Sequence, residues 1–146
     1  MSNTLTAVFA RNHSLGSVLI RVLGAWGGQW SHCAIVDKTT NSVIEARYPM
    51  GVVETPLVDF LIRYSKYEFV EIECPNPDKA IAFARNELGK KYDLLGLLGF
   101  IIKEPIARLQ EWFCNELLED SIIAGDRIRF RVPSRKITVE QSFRVK

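Results

Sequence analysis

Residues 4–10 alternate in polarity and are β-prone, which predicts a first strand. The period then changes. With Ser14 as N-cap, apolar residues at 15, 18, 19, 22 and 23 form a one-sided stripe and predict a helix over residues 15–23. Gly24, Gly27 and Gly28 break it into a loop around Trp26. Residues 32–36 and 42–46 are short β-rich runs separated by the turn-like residues 37–41, so they predict an antiparallel hairpin. Residues 51–54 predict a third strand, after which Thr55 as N-cap and Pro56 at the first helical position open a short helix to about Tyr64. Residues 67–73 alternate again. Asn76 and Pro77 start another helix, with Ile81, Ala84 and Leu88 on one face and Gly89 closing it.

An apolar run over residues 94–102, interrupted by Gly96 and Gly99, leads to a helix from about Ile106. From Cys114 onward, positions 114, 117, 118, 121 and 122 recur at helical spacing until Gly125, which turns the thiol inward. Residues 127–132 alternate basic with apolar and predict a strand, and the tail from Ser134 carries only a weak signal. No internal repeat, low-complexity tract or linker interrupts the chain.

At 146 residues and 47% hydrophobic, the sequence suits one core, hence a single domain over residues 1–146. Nineteen basic against seventeen acidic side chains give a net charge of +2 with no basic run, so nucleic acid is not an expected partner. The run at 94–102 falls short of the ~20 residues that span a bilayer, so no transmembrane segment is expected, although lipid contact there stays open. The first residues lack the basic-then-apolar order of a secretory signal and the three cysteines are an odd number. Reduced thiols and a cytoplasmic location, with release by lysis open, are the expectation.

The chemistry concentrates on two stretches far apart in sequence, Trp112-Phe113-Cys114-Asn115-Glu116-Leu117-Leu118 and Ser31-His32-Cys33-Ala34-Ile35-Val36. A cysteine at the first turn of a helix would meet free backbone N–H groups and the positive end of the macrodipole, which favour a thiolate and can hold an oxyanion. Such a nucleophile needs an imidazole, and the chain has two histidines. His13 lies after the first strand and is expected at the surface. His32 opens the hairpin. If the hairpin loop is even in length, His32 and Glu45 share a face and lie opposite or diagonal, while Cys33 faces the other way. Glu54 and Asp37 are the alternative carboxylates. Zinc is disfavoured, because strand neighbours His32 and Cys33 point apart and no C-x-x-C pair exists.

Taken in order, Ser31-His32-Cys33-Ala34-Ile35-Val36, Val43-Ile44-Glu45-Ala46, Gly51-Val52-Val53, Gly89-Lys90-Lys91-Tyr92-Asp93 and Phe113-Cys114-Asn115-Glu116-Leu117 resemble the circularly permuted papain-like amidohydrolases. These are YiiX-like relatives of the NlpC-type cell-wall peptidases, and lecithin:retinol acyltransferase-like enzymes use the same permuted order. The resemblance covers roughly residues 4–121. It implies an α+β papain-like fold, with a small antiparallel sheet or partial barrel and the nucleophile at a helix N-terminus. It also implies Cys114 as nucleophile, His32 as general base, Glu45 as the group orienting the imidazole, and Tyr92 as an oxyanion or substrate hydrogen-bonder. The chain departs from the family at Ala34, where glycine is commoner, at Cys33, where an apolar residue is usual, and at Asn115, which replaces a serine and can reshape the substrate side.

The expected activity is therefore cysteine-dependent hydrolysis of an amide, with peptidoglycan-type peptides as the first substrate class and no cofactor or metal. A peptide or acyl-containing small molecule is the expected partner. Trp30 and Trp112, each two residues before a catalytic candidate, either line the groove or pack in the core. Two alternatives remain open: a lipid acylhydrolase or acyltransferase of the same fold, with residues 94–102 receiving the acyl chain, and a non-catalytic interaction domain.

Overall fold

The computed structural model describes residues 3–13, 28–47, 49–90, 108–131, 137 and 139–145, with the backbone alone for residues 108–113. The expected helix at 15–23, the apolar run at 94–102, Tyr92 and the side chain of Trp112 lie outside the described residues. The described chain is α+β: strands β1 (Thr4–Arg11), β2 (His32–Asp37), β3 (Ser42–Arg47) and β4 (Gly51–Pro56), helix α1 (Leu57–Leu61), strand β5 (Lys66–Glu73), and helices α2 (Pro77–Asn86), α3 (Arg108–Ala124) and α4 (Val139–Arg144).

The five strands form one antiparallel sheet in the order β4-β3-β2-β1-β5. The expected β2–β3 hairpin is present, joined by the four residues Lys38–Asn41. Asp37 accepts a hydrogen bond from the Thr39 N–H at 2.8 Å, and Asn41 adopts the left-handed conformation (φ 54°) that asparagine tolerates. Ile35 pairs with Ile44 as the last rung of that ladder on the side away from the turn, whereas β1 continues to pair with β2 as far as His32. Beyond Ile35 the two strands therefore leave room for side chains from elsewhere.

Alternation along the strands gives the sheet two apolar faces. Leu5, Ala7, Phe9, Cys33, Ile35, Ile44 and Ile72 pack with Ala80 and Ala84 of α2, with Cys114, Leu118 and Ile122 of α3, and with Val139 of α4. On the opposite face Val8, Ala10, Ala34, Val36 and Val43 lie under Phe60, with Leu57, Leu61 and Tyr64 packed against them. The predicted inward positions 114, 117, 118, 121 and 122 of α3 are all buried, and Gly125 follows the helix end.

Four expectations are corrected. Helix α1 begins at Leu57, not with Thr55 as its cap: β4 runs through Pro56, and the Thr55 hydroxyl is used elsewhere, as described below. Second, α1 stops at Leu61 rather than near Tyr64. Third, residues 127–131 form no strand, because the alternation has the opposite sense to a half-buried strand: the Arg129 side chain is fully buried while Ile128 is 76% exposed. Finally, α3 begins at Arg108, so Cys114 lies in its second turn rather than at its N-terminus. Among the described residues, no helix is long and apolar enough to cross a membrane.

Candidate active site

Three elements converge where the β2–β3 ladder ends. β2 contributes His32 as its first residue, β3 contributes Glu45, and α3 packs on both strands with Cys114 on its inward face. Carrying the β2–β3 register one step beyond Ile35 sets Glu45 across from Ala34 and diagonal to His32, as an even loop requires. The His32 Nε2 and Glu45 Oε2 atoms are 2.8 Å apart. This contact leaves Nδ1 as the ring nitrogen for the sulfur, and His32 and Cys114 are joined by a side-chain hydrogen bond.

Glu45 is completely buried and saturated. Its Oε1 accepts a hydrogen bond from Thr55 Oγ1 at 3.2 Å and a short one from Arg63 Nη2, while Oε2 meets the imidazole. Burial alone would push its carboxyl up, but His32 and Arg63 outweigh that and hold it at about 2. The imidazole is likewise buried, which disfavours its charge; interactions with Cys114 and then Glu45 overcome that cost and raise it to about 9. For Cys114 the thiol hydrogen bond from Cys33 is the largest influence. Burial opposes it, and the charge and hydrogen bond of His32 and the Cys33 backbone N–H add to it, so the thiol is held well below its ordinary value. Charge on the imidazole and charge on the sulfur thus favour one another, with the Glu45 carboxylate behind the ring.

The aromatic wall of the site comes from α1 and the turn after it. The His32 ring stacks on Tyr64 with centroids 5.7 Å apart and planes at 15°, and on Phe60 at 6.0 Å and 27°. The Arg63 guanidinium stands over the same two rings, 5.2 Å from the Phe60 centroid and 5.7 Å from that of Tyr64. The imidazole is thus fixed by stacking on one side and by hydrogen bonds at both nitrogens.

The structure brings together Cys114, His32 and Glu45 but assigns other expected residues to packing. Trp30 is 1% exposed, packs against Phe143 with the rings tilted and their centroids 5.4 Å apart, and belongs to the core, so it does not line a groove. Asn115 is fully buried and its Nδ2 donates to the Ile137 carbonyl at 2.5 Å, tying α3 to the segment before α4 rather than facing substrate. His13 is exposed at a bend after β1. Asp37 and Glu54, the alternative carboxylates, both pair with Arg85 of α2, at 2.6 and 2.9 Å, which leaves Glu45 as the partner of His32. Because Cys114 lies inside a helix, its own N–H belongs to the i to i−4 ladder and is not free for an oxyanion.

Arg63, Tyr64, Phe60 and Thr55 are site residues that the sequence did not single out. Thr55 was within reach of inference: Glu45 pairs with Val53 across the β3–β4 ladder, so Thr55 is its diagonal neighbour. Arg63 and Tyr64 carry no such signal, because the crossing of α1 over the sheet alone brings them there. Among the described residues, no group of three or more histidine, cysteine or acidic side chains is arranged to hold a metal ion. No protein-family model matches this chain, and no curated protein matches it.

Proposed function

We propose that this protein is a cysteine hydrolase of the amidase or peptidase type, with a circularly permuted papain-like architecture. Cys114 acts as nucleophile, His32 as acid and base, and Glu45 as the carboxylate that orients the ring. The observation that carries this reading is the buried relay of Glu45, His32 and Cys114, assembled from three separate elements and holding the thiol well below its ordinary value. The order of the same residues along the chain, histidine then acid then cysteine, supports it through the family resemblance.

In this cycle the Cys114 thiolate attacks the carbonyl carbon and forms the carbon–sulfur bond, and the imidazolium of His32 gives its proton to the departing amine. His32, now neutral, takes a proton from water. The hydroxide attacks the thioester, releasing the carboxylic acid and restoring the thiolate. Glu45 keeps the ring oriented through both transfers, and Arg63 and Thr55 keep Glu45 ionised and fixed. The substrate class proposed is a peptide amide, with peptidoglycan-type peptides first. The lipid alternative rests on residues 94–102, outside the described residues.

The test is the rate of Cys114 alkylation against pH, in a protein whose Cys33 and Cys74 are replaced by serine, with and without His32→Ala. A free cysteine titrates near ~8.5, and a histidine-paired one several units lower. Fast alkylation that persists below neutrality and disappears in His32→Ala is the expected result, followed by release of free amino groups from wall peptides. Slow alkylation rising only in alkali and indifferent to His32 would sink the proposal.

A further inference from the structure

Cys33 takes no bond-making or proton-transfer step in the hydrolytic cycle, yet it is built against the nucleophile. The two residues are 1% and 2% exposed, belong to the same apolar cluster, and sit on elements that pack directly, β2 and α3. Both the Cys33 thiol and its backbone N–H are hydrogen-bonded to the Cys114 sulfur. Cys74 is engaged elsewhere, its thiol donating to the Gly125 carbonyl at 3.6 Å beyond the far end of α3. The arrangement is one thiol held well below its ordinary value with a second, held well above its own, in contact.

We propose that Cys33 and Cys114 form an oxidative modification site, at which a hydroperoxide oxidises Cys114 and Cys33 captures the product as an intrachain disulfide. In the first step the Cys114 thiolate attacks a peroxide oxygen. The sulfur–oxygen bond forms, the oxygen–oxygen bond breaks, and the leaving oxygen takes a proton from the His32 imidazolium; Cys114 is oxidised to the sulfenic acid and the peroxide is reduced to water or an alcohol. In the second step the Cys33 sulfur attacks the Cys114 sulfur, the sulfur–sulfur bond forms, and the hydroxyl departs as water with the Cys33 proton. The sum is two thiols and one hydroperoxide giving one disulfide, with one water and one water or alcohol.

The surroundings favour this division of labour. Burial, and then the hydrogen bond and charge of Cys114, hold the Cys33 thiol well above its ordinary value, so the oxidant selects Cys114. Once Cys114 is an uncharged sulfenic acid, its negative charge no longer opposes ionisation of Cys33, and the neutral imidazole beside it can take the proton. The His32 side chain, hydrogen-bonded to the sulfur, is 13% exposed, so the site reaches the surface at the imidazole. The disulfide would stop Cys114 before the irreversible sulfinic state and store the nucleophile in a form that a dithiol restores.

The experiment uses the full chain, hydrogen peroxide, quenching with an alkylating agent under denaturing conditions, and peptide mapping by mass spectrometry. Expected in the wild type is a peptide pair joined through Cys33 and Cys114 that has lost two hydrogens, alkylation at Cys74 alone, and recovery of both thiols with dithiothreitol. In Cys33→Ala the same dose should carry Cys114 to a product with two added oxygens that dithiothreitol does not reverse. A wild type in which Cys114 gains oxygens without a link to Cys33, links to Cys74 instead, or stays reduced would overturn the proposal; that map needs no variant to fold. Mass, not turnover, is the readout. A Cys33–Cys114 link in a protein without hydrolase activity would keep this proposal and remove the hydrolase one, and fast, His32-dependent alkylation without the link would do the reverse.

Discussion

Glu45 is where the energetics of single residues are most exposed to test. Its folded-state value of about 2 lies below the ordinary 4.5, so the interactions holding it stabilise the fold above pH 4.5 and are lost as pH falls toward 2. The shift corresponds to on the order of 3 kcal/mol. His32, raised from 6.5 to about 9, gives stability that is full below 6.5 and is lost as pH rises through 9. Cys114 is lowered, and contributes in the opposite sense as pH rises toward its ordinary value, so the two offset between about 6.5 and 9. The urea midpoint is therefore expected to be level across that range and to fall below it, first as the Cys114 contribution is lost and then, between pH 4.5 and 2, with that of Glu45. In Glu45→Gln the acid drop should flatten, and stability at pH 7 should fall by about 2–4 kcal/mol, because His32 and Arg63 lose a buried partner. An unchanged acid slope in that variant would show that other carboxylates set it.

At the scale of elements, local chemistry decided boundaries that periodicity misplaced. Thr55 has the composition of a helix cap, but its hydroxyl donates to Glu45 and β4 keeps the residue in the sheet. Asn76 does precede α2, although its side chain donates to Asp126 at 2.5 Å rather than to the helix. The turn after α2 is hydrogen-bonded to the outer strand: the Gly89 N–H donates to Val52 and the Val52 N–H to Lys90, at 3.0 and 3.3 Å. Gly89 holds φ +79° in open space, whereas a Cβ on Gly125 would stand 2.3 Å from the Cys74 sulfur and 3.0 Å from the Asn76 carbonyl. Gly89→Ala should therefore cost about 1–2 kcal/mol, for backbone strain alone. Gly125→Ala should cost about 1–3 kcal/mol through overpacking, and Cys74→Ala should recover part of it by removing the clashing sulfur. Thermal unfolding of the three single variants and the Gly125–Cys74 double variant checks both claims; no recovery in the double variant would place the strain at the Asn76 carbonyl.

For the whole molecule, the decisive interaction away from the site is a buried ion pair that fastens the chain's last helix. Arg129 donates to Glu119 of α3, and to the Ser142 hydroxyl and carbonyl of α4 at 2.8 and 3.2 Å; the Ser142 hydroxyl in turn donates to Glu119. Both charged side chains are essentially inaccessible, so removing one strands the other. Arg129→Ala is expected to cost about 3–5 kcal/mol. Arg127→Ala, which breaks the exposed pair with Glu73, should cost under about 1 kcal/mol. The contrast is read by chemical denaturation of the two variants, and equal costs would mean that burial is not what separates them. The Glu119 and Arg129 charges also act on Cys33, in opposite senses.

The five strands of the sheet, the β2–β3 hairpin and the inward face of the Cys114 helix are legible in the sequence, because each depends on periodicity within a short span; the shared face of His32 and Glu45 follows from register once the loop is even, and the alternation at 127–131 misleads. Tertiary structure alone decided the rest. Arg63 and Tyr64 join the site only because α1 crosses the sheet, and Arg129 is buried because a charge on α3 awaits it, against the polarity its own segment suggests. Strand alternation alone would separate His32 from Cys33. Both nonetheless reach Cys114, because His32 is the first residue of β2 and β3 has already left the ladder there. Alternation and helical spacing fix which way a side chain leaves its own backbone; what it meets depends on elements whose distance along the chain leaves no local trace.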